Sequence, residues 1–329
     1  MYSNSRYDHL PYNRVGNSGL KLPAISLGMW HNFGPNDSTS NQIDLLQTAF
    51  DHGITHFDLA DNYGGGHAEI NVGQILKSHF AQHRDELIIS TKAGHPMWDG
   101  PYGNWGSRKH MLAGLDQSLK RLQLDYVDIY YHHRPDPETP IEETAQALAD
   151  TVRQGKALYI GISNYGGENA RRMIQCMRET GVPCLINQLP FNMLDRNASE
   201  SGEFDGLLED GVGAITFSPL AQGLLSGKYL KDIPPNSRAA TKGSCLERDQ
   251  ITEPLRSKIR LLNDIALTRG QTLSQMALCW NLSFSPVASV LIGASHASQI
   301  IENVKALKKP NLSAEELKQI QDIILRDIA

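Results

Sequence analysis

Short runs of apolar and β-branched residues alternate along the chain with longer stretches in which apolar positions recur every three or four residues. This alternation predicts βαβ units around a parallel sheet. Eight strands are expected, at Ala24–Trp30, Thr55–Ala60, Leu87–Lys92, Val127–His133, Ala157–Ser163, Leu185–Asn192, Gly213–Pro219 and Ser289–Ser295. From the second to the seventh they recur at the spacing of a strand, a loop, a helix and a return loop, which suits a (β/α)8 barrel. The longer interval before the eighth strand holds a candidate binding loop, Ala221 to Gln250, and then helical sequence to about Phe284. Ahead of the first strand, Asn13 to Leu22 reads as a hairpin turning through Asn17 to Gly19, placed to plug the barrel floor.

Helix boundaries carry their own signals. Thr139-Pro140-Ile141-Glu142 predicts a capping box with proline at the first helical position. Ile141, Ala145, Leu148 and Val152 share the inner face, and Gly155 is the left-handed terminator. Ser107 is the expected cap of a helix whose Met111, Leu115, Leu119 and Leu122 form a stripe, with Lys120 and Arg121 facing water. Ser313 to Glu316 repeats the capping-box pattern before an additional C-terminal helix that packs Leu317, Ile320 and Ile324 on the barrel exterior.

Composition narrows the picture. The 329 residues include 40% hydrophobic and 20% charged side chains, enough apolar surface for a large core and unlike a disordered chain. Residues 1–329 show no linker or shift in composition, so one domain is expected. With 31 basic against 36 acidic residues and no basic block, nucleic acid is not an expected partner. No long apolar run predicts membrane insertion, and the polar stretch Met1 to Tyr12 is unlike a signal peptide. The four cysteines, Cys176, Cys184, Cys245 and Cys279, lack the spacing of a disulfide framework or a metal site. The expectation is a cytoplasmic protein with no metal.

Catalytic residues of such a barrel stand at the carboxyl ends of its strands. Asp58 and Tyr63 follow the second strand, Lys92 ends the third, His133 the fourth, and Ser163-Asn164 the fifth. Asp, Lys and Tyr in contact make a tuned acid: an ammonium favours the phenolate, and a carboxylate keeps the ammonium charged despite burial. Such a site protonates a carbonyl oxygen while a hydride reaches the carbon, and no side chain donates hydride, so a nicotinamide or flavin cofactor is required. The Rossmann fingerprint G-x-G-x-x-G is absent after the first strand. Gly223 to Lys228 lacks the glycine spacing of a phosphate loop.

The stretches Asp58-Leu59-Ala60-Asp61-Asn62-Tyr63-Gly64, Ser90-Thr91-Lys92, Asp128 to Asp136, Gly161-Ile162-Ser163-Asn164 and Phe217-Ser218-Pro219-Leu220 resemble, in order and spacing, the aldo-keto reductases. The resemblance runs over essentially the whole chain. It implies a barrel that binds NADPH without a Rossmann fold, with Asp58, Tyr63, Lys92 and His133 as the catalytic tetrad and His132 in packing. It further implies that Ser163, Asn164 and Gln188 hold the nicotinamide amide and that Phe217 stacks on the ring. Ser218, Pro219, Leu220, Gln222 and Lys228 cover the pyrophosphate; Arg238, Gly293, Ser295, Gln299, Glu302 and Asn303 meet the adenosine end; Trp30 and Asp58 complete the cofactor contacts.

The Gly293-Ala294-Ser295 to Glu302-Asn303 pattern is similar to the branch that holds potassium-channel β-subunits and bacterial L-glyceraldehyde 3-phosphate reductases. Met97 to Gly103, Gly106 to Lys109 and His133 favour the reductases, because channel subunits carry Asn where His133 stands. The implied reaction is NADPH-dependent reduction of a small aldehyde, L-glyceraldehyde 3-phosphate first and methylglyoxal second. The alternative is an NADPH-binding, redox-sensing regulatory subunit. A substrate pocket is expected among Trp30, Tyr63, Trp98 and His133, with Met97 and Trp105 nearby. Arg108, Lys109 and Arg134 are candidates for a substrate phosphate, and the branch implies a homo-oligomer, a tetramer.

Overall fold

The computed structural model describes residues 2–235, 237–241 and 243–326. The chain enters through the expected hairpin, β1 (Tyr12–Arg14) paired antiparallel with β2 (Lys21–Pro23). The parallel strands β3 (Ile25–Gly28), β4 (His56–Asp58), β5 (Ile88–Ala93), β6 (Val127–His132), β7 (Ala157–Ser163), β8 (Cys184–Pro190), β9 (Gly213–Phe217) and β10 (Val287–Ile292) then close into a barrel, β10 pairing with both β9 and β3.

Around the barrel lie α1 (Thr39–Asp51), α2 (His67–His79), α3 (Arg108–Leu122), α4 (Ile141–Arg153), α5 (Gly167–Glu179), the short α6 (Asn197–Glu200) and α7 (Glu203–Asp210). The ring continues with α8 (Glu253–Thr268), α9 (Leu273–Leu282), α10 (Ala297–Val304) and α11 (Ala314–Leu325). The fold is the expected (β/α)8 barrel with an N-terminal hairpin and additional C-terminal helices.

Successive strand residues point inward and outward in turn. Ile25, Leu27, Phe57, Ile89 and Tyr130 face the helices and join the main core. At the floor, Val15 and Leu22 of the hairpin region bury themselves against Ile129, Ile186 and Ile215 inside the barrel. The hairpin is pinned by the Asn17 amide, which donates to Gly211 O at 2.8 Å just before β9 begins. With the floor sealed, the open end is the carboxyl mouth.

Of the local expectations, two caps form as expected and two features turn out differently. Ser107 caps α3 by accepting from the His110 amide, and Ser313 with Glu316 forms the expected box at α11. The box at Thr139 does not form: Pro140 is itself the N-cap of α4, with no side-chain cap bond. Asp136 has captured this segment instead, its Oδ1 accepting from the Glu138 and Thr139 amides at 2.7 and 3.2 Å. Arg121 does not face water. Its Nε donates to Glu69 Oε2 at 2.7 Å, because α2 brings a fully buried carboxylate against α3 and a buried charge needs a partner.

Candidate active site

β4 and β5 lie side by side with Asp58 paired to Ser90, so the inward side chains of Asp58 and Lys92 meet at the top of the barrel. Lys92 Nζ donates to Asp58 Oδ2 at 2.6 Å and to Leu59 O at 2.6 Å, and reaches the Tyr63 hydroxyl at 3.4 Å. The other oxygen of Asp58 accepts from Ser90 Oγ at 2.6 Å and from Gln188 Nε2 at 3.2 Å. Tyr63 opens a tight turn in which Gly64, Gly65 and Gly66 all take positive φ, a path that side chains with a Cβ resist. His133 stands one residue beyond β6, not within it, and its ring packs edge-on against Tyr63 at 5.9 Å. The four expected tetrad residues thus converge on one mouth.

Electrostatics at this mouth depart from expectation in one respect. Burial opposes the charge on Lys92, yet Asp58 and Tyr63 outweigh it and hold the ammonium above its ordinary pKa. Burial also pushes the Tyr63 hydroxyl above its usual value. Lys92 lowers it as expected, but burial and the charge of Asp58 prevail. Burial drives His133 well below its usual range, helped by Lys92, His95, His132 and Arg134. A neutral His133 has a ring able to offer or accept a hydrogen bond, and an imidazolium there is disfavoured.

Along the rim, Ser163 and Asn164 are held by their own bonds. Asn164, in the left-handed region at φ 59°, donates from Nδ2 to His133 O at 3.0 Å, and Ser163 Oγ donates to Gln188 O at 3.1 Å. Phe217 ends β9 and is half-buried, followed by buried Pro219 and half-buried Leu220. In this loop Ser218, Ala221 and Gln222, none of them glycine, adopt positive φ of 55°, 46° and 57°. Such conformations are costly and cluster where a loop is shaped to hold a ligand; successive backbone N–H groups in turns of this kind form anion-binding concavities.

Gln222 Nε2 donates to Ser218 Oγ at 3.1 Å, and Arg238 donates to Gln222 Oε1. Lys228 is exposed. Beyond β10, Gly293 is exposed, Ser295 donates from its amide to Gln299 Oε1 at 2.8 Å, Glu302 accepts from Gln275 at 2.8 Å, and Asn303 is buried beside them. A strained, cation-bearing loop on one side and the polar edge of Ser163, Asn164 and Gln188 on the other fit a dinucleotide laid across the mouth.

Trp30 is 48% exposed, stacks on His31 at 4.4 Å and tilts toward Tyr63 at 6.4 Å. Trp98 instead packs on His110 at 4.8 Å, and Trp105 lies under Arg134 at 3.8 Å, so the tryptophans are spread around the mouth. Arg108 is paired with Asp150 at 2.5 Å on α4 and is partly exposed. Lys109 sits over Tyr102 at 5.5 Å. His132 is packed as expected, its Nδ1 bonded to the Tyr165 hydroxyl at 2.6 Å. Sequence reading did not single out His95, whose ring meets His133 edge-on at 4.5 Å, nor the inward pair His56 and Ser90. The latter were legible in principle, each lying two positions before a tetrad residue on the same strand face.

A closed parallel barrel that gathers a buried carboxylate, an ammonium and a phenol at its carboxyl mouth has the architecture of a (β/α)8 enzyme, whose functional residues stand at the strand ends. The family model for the aldo/keto reductase family matches residues 24–325, and the chain belongs to that family. It is an oxidoreductase, and members generally use NAD(P)H. The chain is 54% identical to L-glyceraldehyde 3-phosphate reductase of Escherichia coli K12 over 97% of its own length and 94% of that protein. It is 38% identical to a probable voltage-gated potassium channel β subunit of Arabidopsis thaliana, over 96% of this chain and 97% of the other. A crystal structure of a thermostable aldo-keto reductase with the inhibitor epalrestat superposes at TM-score 0.76 with 31% identity, covering 95% of this chain and all of that one. Among the described residues no helix is long and apolar enough to cross a membrane.

Proposed function

We propose that this chain reduces small aldehydes to alcohols with NADPH, with L-glyceraldehyde 3-phosphate the foremost substrate and methylglyoxal a second. The observation that carries the reading is Lys92 set between Asp58 and the Tyr63 hydroxyl at the mouth. The 54% identity to a reductase of that name supports the substrate. Ser163, Asn164 and Gln188 would hold the nicotinamide amide, Phe217 its ring, the loop from Ser218 to Lys228 the pyrophosphate, and Arg238 with residues Gly293 to Asn303 the adenosine end.

Bound there, the cofactor supplies a hydride to the carbonyl carbon. Tyr63 gives its proton to the carbonyl oxygen, Lys92 favours the phenolate left behind, and Asp58 keeps Lys92 charged. His133, neutral, hydrogen-bonds the same oxygen, while Trp30 and Trp98 wall the substrate. Arg134, oriented by bonds to Gly94 O at 3.0 Å and Asn104 at 2.9 Å, is the cation offered to a substrate phosphate.

The protein is read as cytoplasmic, one domain and tetrameric, the last tested by light scattering. The function is tested by mixing purified protein with NADPH and phosphorylated and unphosphorylated aldehydes and following loss of reduced-nicotinamide absorbance. Turnover highest on the phosphorylated aldehyde is expected. Tight NADPH binding without turnover, together with a co-purifying membrane partner, would favour a regulatory subunit instead.

A further inference from the structure

Directly beneath Asp58 the barrel interior holds a row of polar side chains for which the reaction above has no use. His56 shares the inner face of β4 with Asp58, and Ser90 shares that of β5 with Lys92. Ser26 of β3 and Ser289 of β10 complete the row, and all four side chains are fully buried. Ser289 Oγ lies 2.6 Å from Ser26 Oγ, Ser26 Oγ 2.9 Å from His56 Nδ1, His56 Nε2 2.9 Å from Ser90 Oγ, and Ser90 Oγ 2.6 Å from Asp58 Oδ1.

One end fixes the direction of every bond. Asp58, paired with the Lys92 ammonium, only accepts, so Ser90 donates to it. The Ser90 oxygen then accepts from His56 Nε2–H. A neutral imidazole protonated there presents Nδ1 as an acceptor, which takes the Ser26 hydroxyl proton, and Ser26 in turn accepts from Ser289. All the protons point toward Asp58. The far end at Ser289 is buried, so the row is a fixed chain of dipoles and not a path for protons to solvent. Burial, with Lys92 adding to it and Asp58 opposing, lowers His56 to about 4 and keeps it neutral.

We infer that His56 is a positioning residue for the reductase site: through Ser90 it holds Asp58 so that Lys92 keeps its reach to Tyr63, and it thereby sets the acidity of the Tyr63 hydroxyl. The inference rests on Tyr63 being the proton donor of the proposed reaction. Lys92 is already at the long end of hydrogen-bonding range from Tyr63, at 3.4 Å. Without the imidazole, Ser90 is free to turn, Asp58 loses a held donor and draws further on Lys92, and the phenol loses the charge that favours its ionisation. The ionisable groups bearing on His56 are Asp58 on its own strand and Lys92 on β5. Those bearing on Tyr63 are Lys92, Asp58 and Asp61, with His133 across its ring.

The test compares the full chain with His56→Leu, Ser90→Ala and His56→Gln, the last able to donate to Ser90 and accept from Ser26. The first readout needs no turnover: nitrogen-15 NMR of the histidines, with His56 assigned by its loss in the variants. The expected signal is a neutral ring protonated at Nε2. A ring protonated at Nδ1 reverses the chain and overturns the inference.

The second readout is the pH profile of aldehyde reduction. His56→Leu and Ser90→Ala are expected to move the limb governed by Tyr63 to higher pH by about one unit and lower kcat about 10-fold, with KM for NADPH unchanged. His56→Gln returns both toward the parent values. Unmoved limbs in folded variants, with activity falling only in proportion to folded protein, overturn the inference. If His56→Leu does not fold, Ser90→Ala decides. If the parent chain reduces no aldehyde, the proposed function fails, and the NMR signal still decides whether the row is ordered as described.

Discussion

The Lys92 ammonium stands 3.4 Å from the Tyr63 hydroxyl and 5.2 Å from the centre of its ring. It is near enough to favour the phenolate, yet most of its hydrogen-bonding capacity goes to Asp58 and Leu59 O. The acid is therefore tuned by charge more than by a short bond. In Lys92→Met the phenol loses the only one of its three strongest influences that lowers its pKa, leaving burial and Asp58 to raise it. Single-turnover hydride transfer is expected to slow by about 10²- to 10⁴-fold, the usual worth of a positioned proton donor. A rate within a factor of about three of the parent would remove Lys92 from the tuning.

Stability should fall in mild acid because several histidines are buried neutral, His56 and His132 among them. Burial lowers His56 to about 4 and His132 to about 3, against about 6.5 in an unfolded chain. The unfolded state thus binds more protons, so stability is fully present above pH about 6.5 and is lost progressively as pH falls toward those folded values. Each histidine contributes a loss of about 2 kcal/mol at pH 5, an order-of-magnitude figure. Urea midpoints at pH 7 and pH 5 check it, and Asn at position 132 should make the fall shallower.

Arg121 neutralises the fully buried Glu69, whose other oxygen accepts from Thr91 Oγ1 at 2.5 Å. Burial and the nearby charge of Glu69 raise Asp61 well above the carboxylate range. Arg121→Met leaves a carboxylate unpaired between α2 and the barrel wall. A loss of about 3–5 kcal/mol is expected in denaturant unfolding, and Glu69→Gln in the same chain should recover part of it.

What the sequence made legible follows from which interactions are local. Strand order, the hairpin, the caps at Ser107 and Ser313 and the tetrad positions rest on periodicity of two, on N-cap chemistry within one turn and on strand ends, all visible over a few residues. Thr139 misled because Asp136, three residues upstream, takes the Thr139 amide that the Glu142 side chain of a capping box would accept from. Arg121 misled because its partner lies fifty-two residues away on another helix, where no local pattern reports it. The raised Tyr63 hydroxyl was equally out of reach: charge neighbours can be inferred from residue types, but the depth of burial that outweighs them is a property of the assembled mouth.

Arg238 is tied to Gln222, itself bonded to Ser218, which sets a guanidinium at the loop proposed to hold the dinucleotide. Arg238→Leu is expected to raise KM for NADPH about 10-fold or more and leave KM for NADH nearly unchanged, because only the former carries an added phosphate for a cation to hold. Equal losses with both nucleotides would place Arg238 in loop structure and not in phosphate recognition.

In the proposed reaction the Tyr63 hydroxyl donates the proton at a site assembled for dinucleotide-dependent reduction. The decisive variant is Tyr63→Phe, with NADPH affinity measured by quenching of tryptophan fluorescence and hydride transfer followed in a single turnover. Affinity within about two-fold of the parent and transfer slowed by at least about 10²-fold are the predicted pair. Hydride transfer at the parent rate in that variant would remove Tyr63 as the donor, and a parent chain with no affinity for NADPH would rule out dinucleotide-dependent reduction at this mouth.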